Sequence, residues 1–199
     1  ATGIIPLDRR PASAIAASLA GLNLPEHRLS LGIGTGGPKD GLARVADAVV
    51  TLREATSAEL VVGALGPKLR SLGAKLADGV LFNWLTPDAA AAAMTDLRRD
   101  AVSRTVRGVL YARTTVDTES LPALETEAAR YGAIPSYAAN FERIGASAID
   151  TTIRSVGSFE LATQVSAYTE HVDELVLRVI TAEPTLAGYL RFVDTVAAG

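Results

Sequence analysis

Three stretches of this chain pair residue types and spacings that could do chemistry. Gly32-Ile33-Gly34-Thr35-Gly36-Gly37 satisfies G-x-G-x-x-G between a strand pattern and a helix pattern, the context a dinucleotide fingerprint needs. Such a site also needs a carboxylate for the ribose at the end of the next strand. That strand ends Val62-Gly63-Ala64-Leu65-Gly66 and has none. Two other readings stay open: glycines that merely reverse the chain, or a backbone left bare so that a ligand can come close. Ala64-Leu65-Gly66-Pro67-Lys68 is the second stretch, a strand running into a helix start, where unpaired N–H groups attract phosphate and Lys68 adds charge. An ordinary turn with a solvated Lys is its plain alternative. Asn83-Trp84-Leu85-Thr86 ends another strand on the same expected edge, and its Trp84, the only Trp, suits either a ring-shaped ligand or the core. Arg113 and Thr114 close the fifth strand, where position alone makes them an anion-site candidate, and they are expected to be solvated. His27 and His171 fall near strand starts, on the opposite edge, and read as surface residues. No H-E-x-x-H, G-x-S-x-G or Walker A pattern occurs, and the acids form no convergent pair, so no catalytic residue and no metal site is assigned.

The elements that must position these residues alternate from end to end. Strand patterns lie at 2–6, 29–34, 60–65, 80–84, 106–113 and 173–180, with helical patterns at 12–20, 42–55, 66–76, 89–103, 124–131 and 185–196. Thr86-Pro87-Asp88 is a strong helix start, with a capping hydroxyl, a proline at the first position and an acid in the first turn. Between Ala133 and His171 only helical pieces are expected, an insertion before the last strand. The fold class is therefore α/β with a parallel sheet. The count is about six βα units, fewer than the eight of a closed barrel.

Composition narrows the classes. The 199 residues form one expected domain, 48% hydrophobic and 21% charged, as globular chains are. The absence of cysteine removes disulfides, thiolate catalysis and cysteine zinc sites. A net charge of −3 with dispersed basic residues offers no footprint for nucleic acid or an anionic membrane. No apolar run is long enough to span a bilayer and no signal peptide opens the chain, so a cytoplasmic protein is expected. The 35 Ala, and 16 Arg against 3 Lys, point to a GC-rich coding genome.

Several of these stretches together resemble the luciferase-like flavin and deazaflavin oxidoreductases, a (β/α)8-barrel superfamily that includes bacterial luciferase and F420-dependent reductases. Gly3-Ile4-Ile5-Pro6 with Arg9-Arg10-Pro11 is similar to the family's third strand and the helix behind it, and Arg28 to Gly36 to its fourth. Gly63 to Leu69, continued by Leu76 to Asn83, resembles its fifth strand, phosphate-cradling turn and sixth strand, and Val172 to Arg178 its last strand. The resemblance implies an incomplete TIM barrel whose first two strands, which in the family carry polar substrate-side residues, have no counterpart here.

By the same resemblance, Gly3-Ile4 would form a non-proline cis peptide behind the cofactor ring. Gly34 and Thr35 would line the ring pocket, and Ala64, Leu65 and Gly66 would give backbone amides to the phosphate, beside Lys68. Asn83 and Trp84 complete the cofactor-binding set. The implied function is F420- or FMN-dependent hydride transfer with a small organic substrate, in a homodimer. The rivals are a non-catalytic flavin-binding protein and a phosphate-binding barrel lyase, the latter disfavoured because Lys39, Lys68 and Lys75 all lie outside the strands.

Overall fold

The structure is a computed structural model and describes residues 2–37, 40–156 and 158–198, Ser158 by its backbone alone. It divides into two compact units, one of residues 1–81 with 95–108, the other of 82–94 with 109–199.

The first unit is built on parallel strands in sequence order. β1 (Ile5–Pro6) pairs with β2 (Ser30–Gly34), β2 with β3 (Glu59–Gly63), and β3 with the start of β4 (Gly79–Asn83). Helix α1 (Ala12–Ala20) follows β1, α2 (Gly41–Ala55) follows β2 and α3 (Pro67–Leu76) follows β3. In-register Ile33↔Val62 brings two fully buried β-branched residues side by side, as a sheet with both faces covered requires, and half-buried Ile5 pairs with Ile33 at the edge. α2 buries Val45, Ala48, Val49 and Leu52, one apolar stripe at helical spacing. Gly73 of α3 admits a close helix–strand approach, because a Cβ there would stand 2.8 Å from Val80.

The start of the second unit comes from the end of β4 and from α4 (Pro87–Ala101), which continues into the first unit. The Thr86 hydroxyl caps α4 by accepting from the Ala89 N–H at 3.3 Å, as the sequence pattern implied. Strand β5 (Arg107–Thr115) pairs in parallel with both β6 (Ile153–Arg154) and β7 (Glu174–Val179). α5 (Leu121–Gly132) and α6 (Pro135–Ile144) lie between β5 and β6, α7 (Ser158–Thr169) lies between β6 and β7, and α8 (Leu186–Ala197) ends the chain.

The elements are thus α/β with parallel strands throughout, each followed by a helix. One expectation is corrected. Residues 133–171 are not purely helical, since Ile153–Arg154 is a strand that pairs with Thr114–Thr115. Two residues carry no periodicity, so no pattern could reveal it; buried Ile153 beside Thr114 secures the pairing.

Candidate functional site

In the first unit the glycines of β2 and β3 form a bed for one side chain. A Cβ at Gly34 would stand 2.7 Å from Cγ2 of Ile4, one at Gly63 2.7 Å from its Cγ1, and one at Gly32 3.0 Å from its Cδ1. Ile4 fills this bed yet remains half-buried, so it presents an apolar floor at the strand ends. The remaining glycines of the G-x-G-x-x-G run answer to Asp8. Gly36 has φ +71° and its missing Cβ would fall on the Asp8 carboxylate, which also lies against Gly37. A carboxylate seated in this loop is the wrong charge for a pyrophosphate, which removes the dinucleotide reading a second time. The Gly3–Ile4 peptide is trans, as is every described peptide bond, and a Cβ on Gly3 would meet nothing within 4 Å. The cis form costs about 2.5 to 4 kcal/mol away from proline. Thr35 is half-buried, its carbonyl accepts from Arg44 Nη1 at 2.9 Å, and it borders an open hollow of about 360 Å³ with Asp40 and Gly41.

The β3–α3 turn lies in the same unit. The Ala64 N–H is committed to the sheet, donating to the Leu81 carbonyl at 3.0 Å, so this amide is not offered to an anion as the resemblance implied. Leu65 and Gly66 are half-buried and Pro67 and Lys68 exposed. Gly66 caps α3 without any side-chain hydrogen bond, and a Cβ there would meet only open space. The first-turn amides of α3 have no carbonyl of their own helix to bond, and Pro67 at N1 leaves no wasted donor. The Leu65 carbonyl accepts from Arg70 Nη2 at 2.7 Å, which brings a second cation to the turn beside Lys68.

Asn83 and Trp84 belong to the second unit and stand in a closed cluster. Trp84 is 1% exposed, with φ +54°. The Arg113 guanidinium lies over its ring at 3.8 Å, Tyr131 packs against it at 4.9 Å, and Phe141 meets it edge-on at 5.7 Å. Trp84 is thus a core residue, the second of its two readings, and its Nε1 has no hydrogen-bond partner. Asn83 Oδ1 accepts from Arg113 Nη1.

Thr114 is fully buried, and Arg113 is not solvated either. It is 4% exposed and also donates through Nε to Glu127 at 2.9 Å. Arg178, its neighbour in register on β7, donates to both oxygens of the same carboxylate at 2.8 Å. Burial pushes the Glu127 carboxyl up, and the hydrogen bonds from Arg113 and Arg178 outweigh it and hold the group below its ordinary value. Burial raises the Tyr168 phenol to about 12, and its hydroxyl donates to the Leu85 carbonyl at 3.1 Å.

The Arg113–Glu127–Arg178 set went unread in the sequence. One signal was there: Glu127 shares the face of α5 with buried Leu124, Ala128 and the half-buried Tyr131, and a carboxylate in an apolar stripe demands a partner. His27 and His171 are exposed as expected. No group of three or more metal-ligating side chains occurs among the described residues, and no helix in them is long and apolar enough to cross a membrane. Lys68 and Lys75 lie in α3, outside the strands; Lys39 lies outside the described residues.

No family model and no curated protein matches this sequence. Solved structures do. An F420-dependent secondary alcohol dehydrogenase in complex with an F420–acetone adduct superposes with a TM-score of 0.70 at 14% identity, over 96% of this chain and 76% of that one. Apo-MsnO8 gives 0.62 at 15% identity, over 99% and 76%. The chain has a luciferase-like fold. EDTA monooxygenase EmoA from Chelativorans sp. BNC1 is a more distant likeness, with a TM-score of 0.50 at 11% identity, over 71% of this chain and 43% of that one. The α/β arrangement is that of a TIM-barrel fold, here incomplete.

Proposed function

We propose that this chain is an oxidoreductase of the luciferase-like type that takes F420 or FMN and moves hydride between that cofactor and a small organic substrate. The observation that carries the reading is the β3–α3 turn. An uncapped helix start lies behind an open Gly66, with Lys68 and Arg70 beside it, in a fold shared with a protein whose structure contains an F420 adduct.

The first-unit residues fit the group. Leu65, Gly66 and Lys68 would hold its phosphate through amides and charge. Ile4, seated on Gly32, Gly34 and Gly63, gives a half-buried apolar surface for the face of a planar ring, with Gly3, Gly34 and Thr35 around it. The bound (deaza)flavin would supply the hydride chemistry, and the chain would supply orientation and exclusion of water. Asn83 and Trp84 act indirectly in this reading, since the closed cluster they belong to fixes the end of β4.

A passive flavin-binding protein is the second reading. It is favoured by the side chains of Gly3, Ile4, Gly34, Thr35, Leu65 and Gly66, none of which is an acid or base. Spectral titration tests the first claim. Purified protein mixed with FMN or F420 should quench the fluorescence of one of them and retain it through gel filtration, and Lys68→Glu should weaken that retention. Retention of neither cofactor overturns both readings. Turnover with a panel of alcohols, measured as bleaching of the bound cofactor, then separates the enzyme from the passive binder.

A further inference from the structure

The residues that form the ring floor and the phosphate turn include no base, yet a dehydrogenation has a proton to dispose of. Oxidation of an alcohol takes two hydrogens from the substrate, a hydride from the carbinol carbon and a proton from the hydroxyl. The proton needs a base within hydrogen-bond reach.

Of the acids that follow β1, β2 and β3, only Asp8 lies on the glycines that carry the floor. Gly32, Gly34 and Gly36 recur at every second residue. Ile4 covers the first two, and the Asp8 carboxylate covers the third, where a Cβ would coincide with it. A Cβ on Gly37 would stand 3.4 Å from Asp8 Oδ2. The Leu7 N–H donates to the Gly34 carbonyl at 2.9 Å, which ties the residue before Asp8 to the strand beneath the floor. Asp40 stands at the N-cap of α2, four residues beyond Gly36, and no acid lies between β3 and α3.

Among the described residues the Asp8 carboxylate has no hydrogen bond and no ion pair. Its basic chain neighbours do not neutralise it: Arg10 Nη2 donates to Ser18 of α1 at 2.6 Å, and Arg9 pairs with no acid among the described residues. An aspartate kept for structure caps a helix or holds a loop through hydrogen bonds. This one is exposed, rests on bare backbone and keeps its oxygens for an incoming group.

We propose that Asp8 is the catalytic base of this site and that the substrate is an alcohol, an assignment that rests on the cofactor reading above. The substrate hydroxyl donates to a carboxylate oxygen of Asp8. The carbinol C–H bond breaks and its electron pair leaves as hydride to the (deaza)flavin. The O–H bond breaks in the same step, its electrons complete the C=O bond of the product, and the proton passes to Asp8 Oδ. Gly36 and Gly37 hold the carboxylate in place by having no side chain of their own.

Kinetics and binding on the cofactor-loaded full chain are the test. Asp8→Asn keeps an acceptor oxygen but is no base, so kcat for secondary alcohols should fall roughly 10²- to 10⁴-fold, the usual contribution of a positioned base, with KM little changed. Asp8→Ala also removes the acceptor. Formate, a carboxylate small enough to enter the vacated space, should restore turnover in Asp8→Ala but not in Asp8→Asn. A tertiary alcohol has no hydride to give, so its binding reads the contact alone. Followed by the absorbance of the bound cofactor, tert-butanol should bind Asp8→Ala about tenfold more weakly than wild type. Both variants should keep the wild-type circular dichroism spectrum and cofactor retention, because the carboxylate they alter is exposed and holds nothing else in the described chain. A wild type that retains neither FMN nor F420 overturns this proposal together with the cofactor reading. Retention without turnover of any alcohol, turnover that survives Asp8→Asn, no rescue by formate, or equal binding of tert-butanol to wild type and Asp8→Ala each overturns the role of Asp8 and leaves the cofactor reading standing.

Discussion

The ends of β2 and β3 in the first unit, and the ends of β4 and β5 in the second, reach similar packing by opposite means. In the first unit side chains are removed: Gly32, Gly34 and Gly63 carry none, and Ile4, just ahead of β1, lies across the space they leave. In the second, bulk and charge are crowded in, with Arg113 pressed on Trp84 and tied to Asn83 and Glu127. Gaps left by glycine are filled by a half-buried group, whereas a buried guanidinium commits every neighbour to it. The first arrangement leaves a surface at which a ligand can arrive, and the second is already complete.

The largest effect should come from removing the counter-charge of the closed cluster. Glu127→Ala leaves Arg113 buried with Asn83 as its one remaining polar partner here, and frees Arg178 as well. Breaking a buried pair from one side costs about 3 to 5 kcal/mol. Urea unfolding should show that loss. A loss under about 1 kcal/mol, the value of an exposed pair, would mean that water reaches Arg113 and the cluster is open.

The glycine bed should yield less. Gly63→Ala places a Cβ 2.7 Å from Cγ1 and 3.1 Å from Cγ2 of Ile4, atoms next to a β-branch that turns only between a few rotamers. Overpacking of this kind costs about 1 to 3 kcal/mol. Adding Ile4→Ala should recover most of it, since the clash is with that side chain. Additive losses in the double mutant would show that Gly63 is required for another reason, and the floor assigned to Ile4 would lose its support.

The difference between these regions also explains what could be read beforehand. Strands and helices of the first unit follow from periodicity and from punctuation such as Gly66-Pro67, and α1 occupies 12–20 as the pattern has it. The reason for the glycines was not legible, because it lies in residues distant in sequence. Gly34 and Gly63 are 30 and 59 positions from the Ile4 they accommodate, and Gly36 is 28 from Asp8. The Arg113 cluster was missed for a related reason. An arginine at a strand end is usually solvated, and only Glu127 from α5 and Arg178 from β7, brought alongside by the parallel register, make its burial tolerable. The short strand β6 depends wholly on its neighbour. Local pattern revealed the elements, and non-local pairing decided what each polar or missing side chain was for.

A subtler contrast concerns the helix start beside the open bed. Gly66→Asp puts a carboxylate where α3 has no side-chain cap and where a Cβ meets open space. Asp is among the best N-caps, so stability should rise by a few tenths to about 1 kcal/mol. The same negative charge would repel the anionic tail of F420 or FMN, so binding should weaken. Opposite signs for melting temperature and cofactor affinity are the expected outcome. A variant that is more stable and binds either cofactor undiminished would place the phosphate elsewhere.

The smallest effect is the acid limb of the closed cluster. Glu127 is held below its ordinary 4.5 by a balance in which burial opposes the bonds from Arg113 and Arg178, so the net displacement is less than those bonds alone would give. Because the folded value is depressed, the carboxylate's contribution is complete above the unfolded value and is lost as pH falls through the folded one. The stability difference between wild type and Glu127→Gln should therefore stay level at neutral pH and narrow only below about 4.5, as urea midpoints at descending pH would show. The first unit supplies the control. Gly63→Ala changes no titratable group, so its difference from wild type should run parallel to the pH axis throughout. A narrowing in both variants would mean that acid loosens the whole chain, and one confined to Glu127→Gln would locate it in the second unit's half-buried carboxylate.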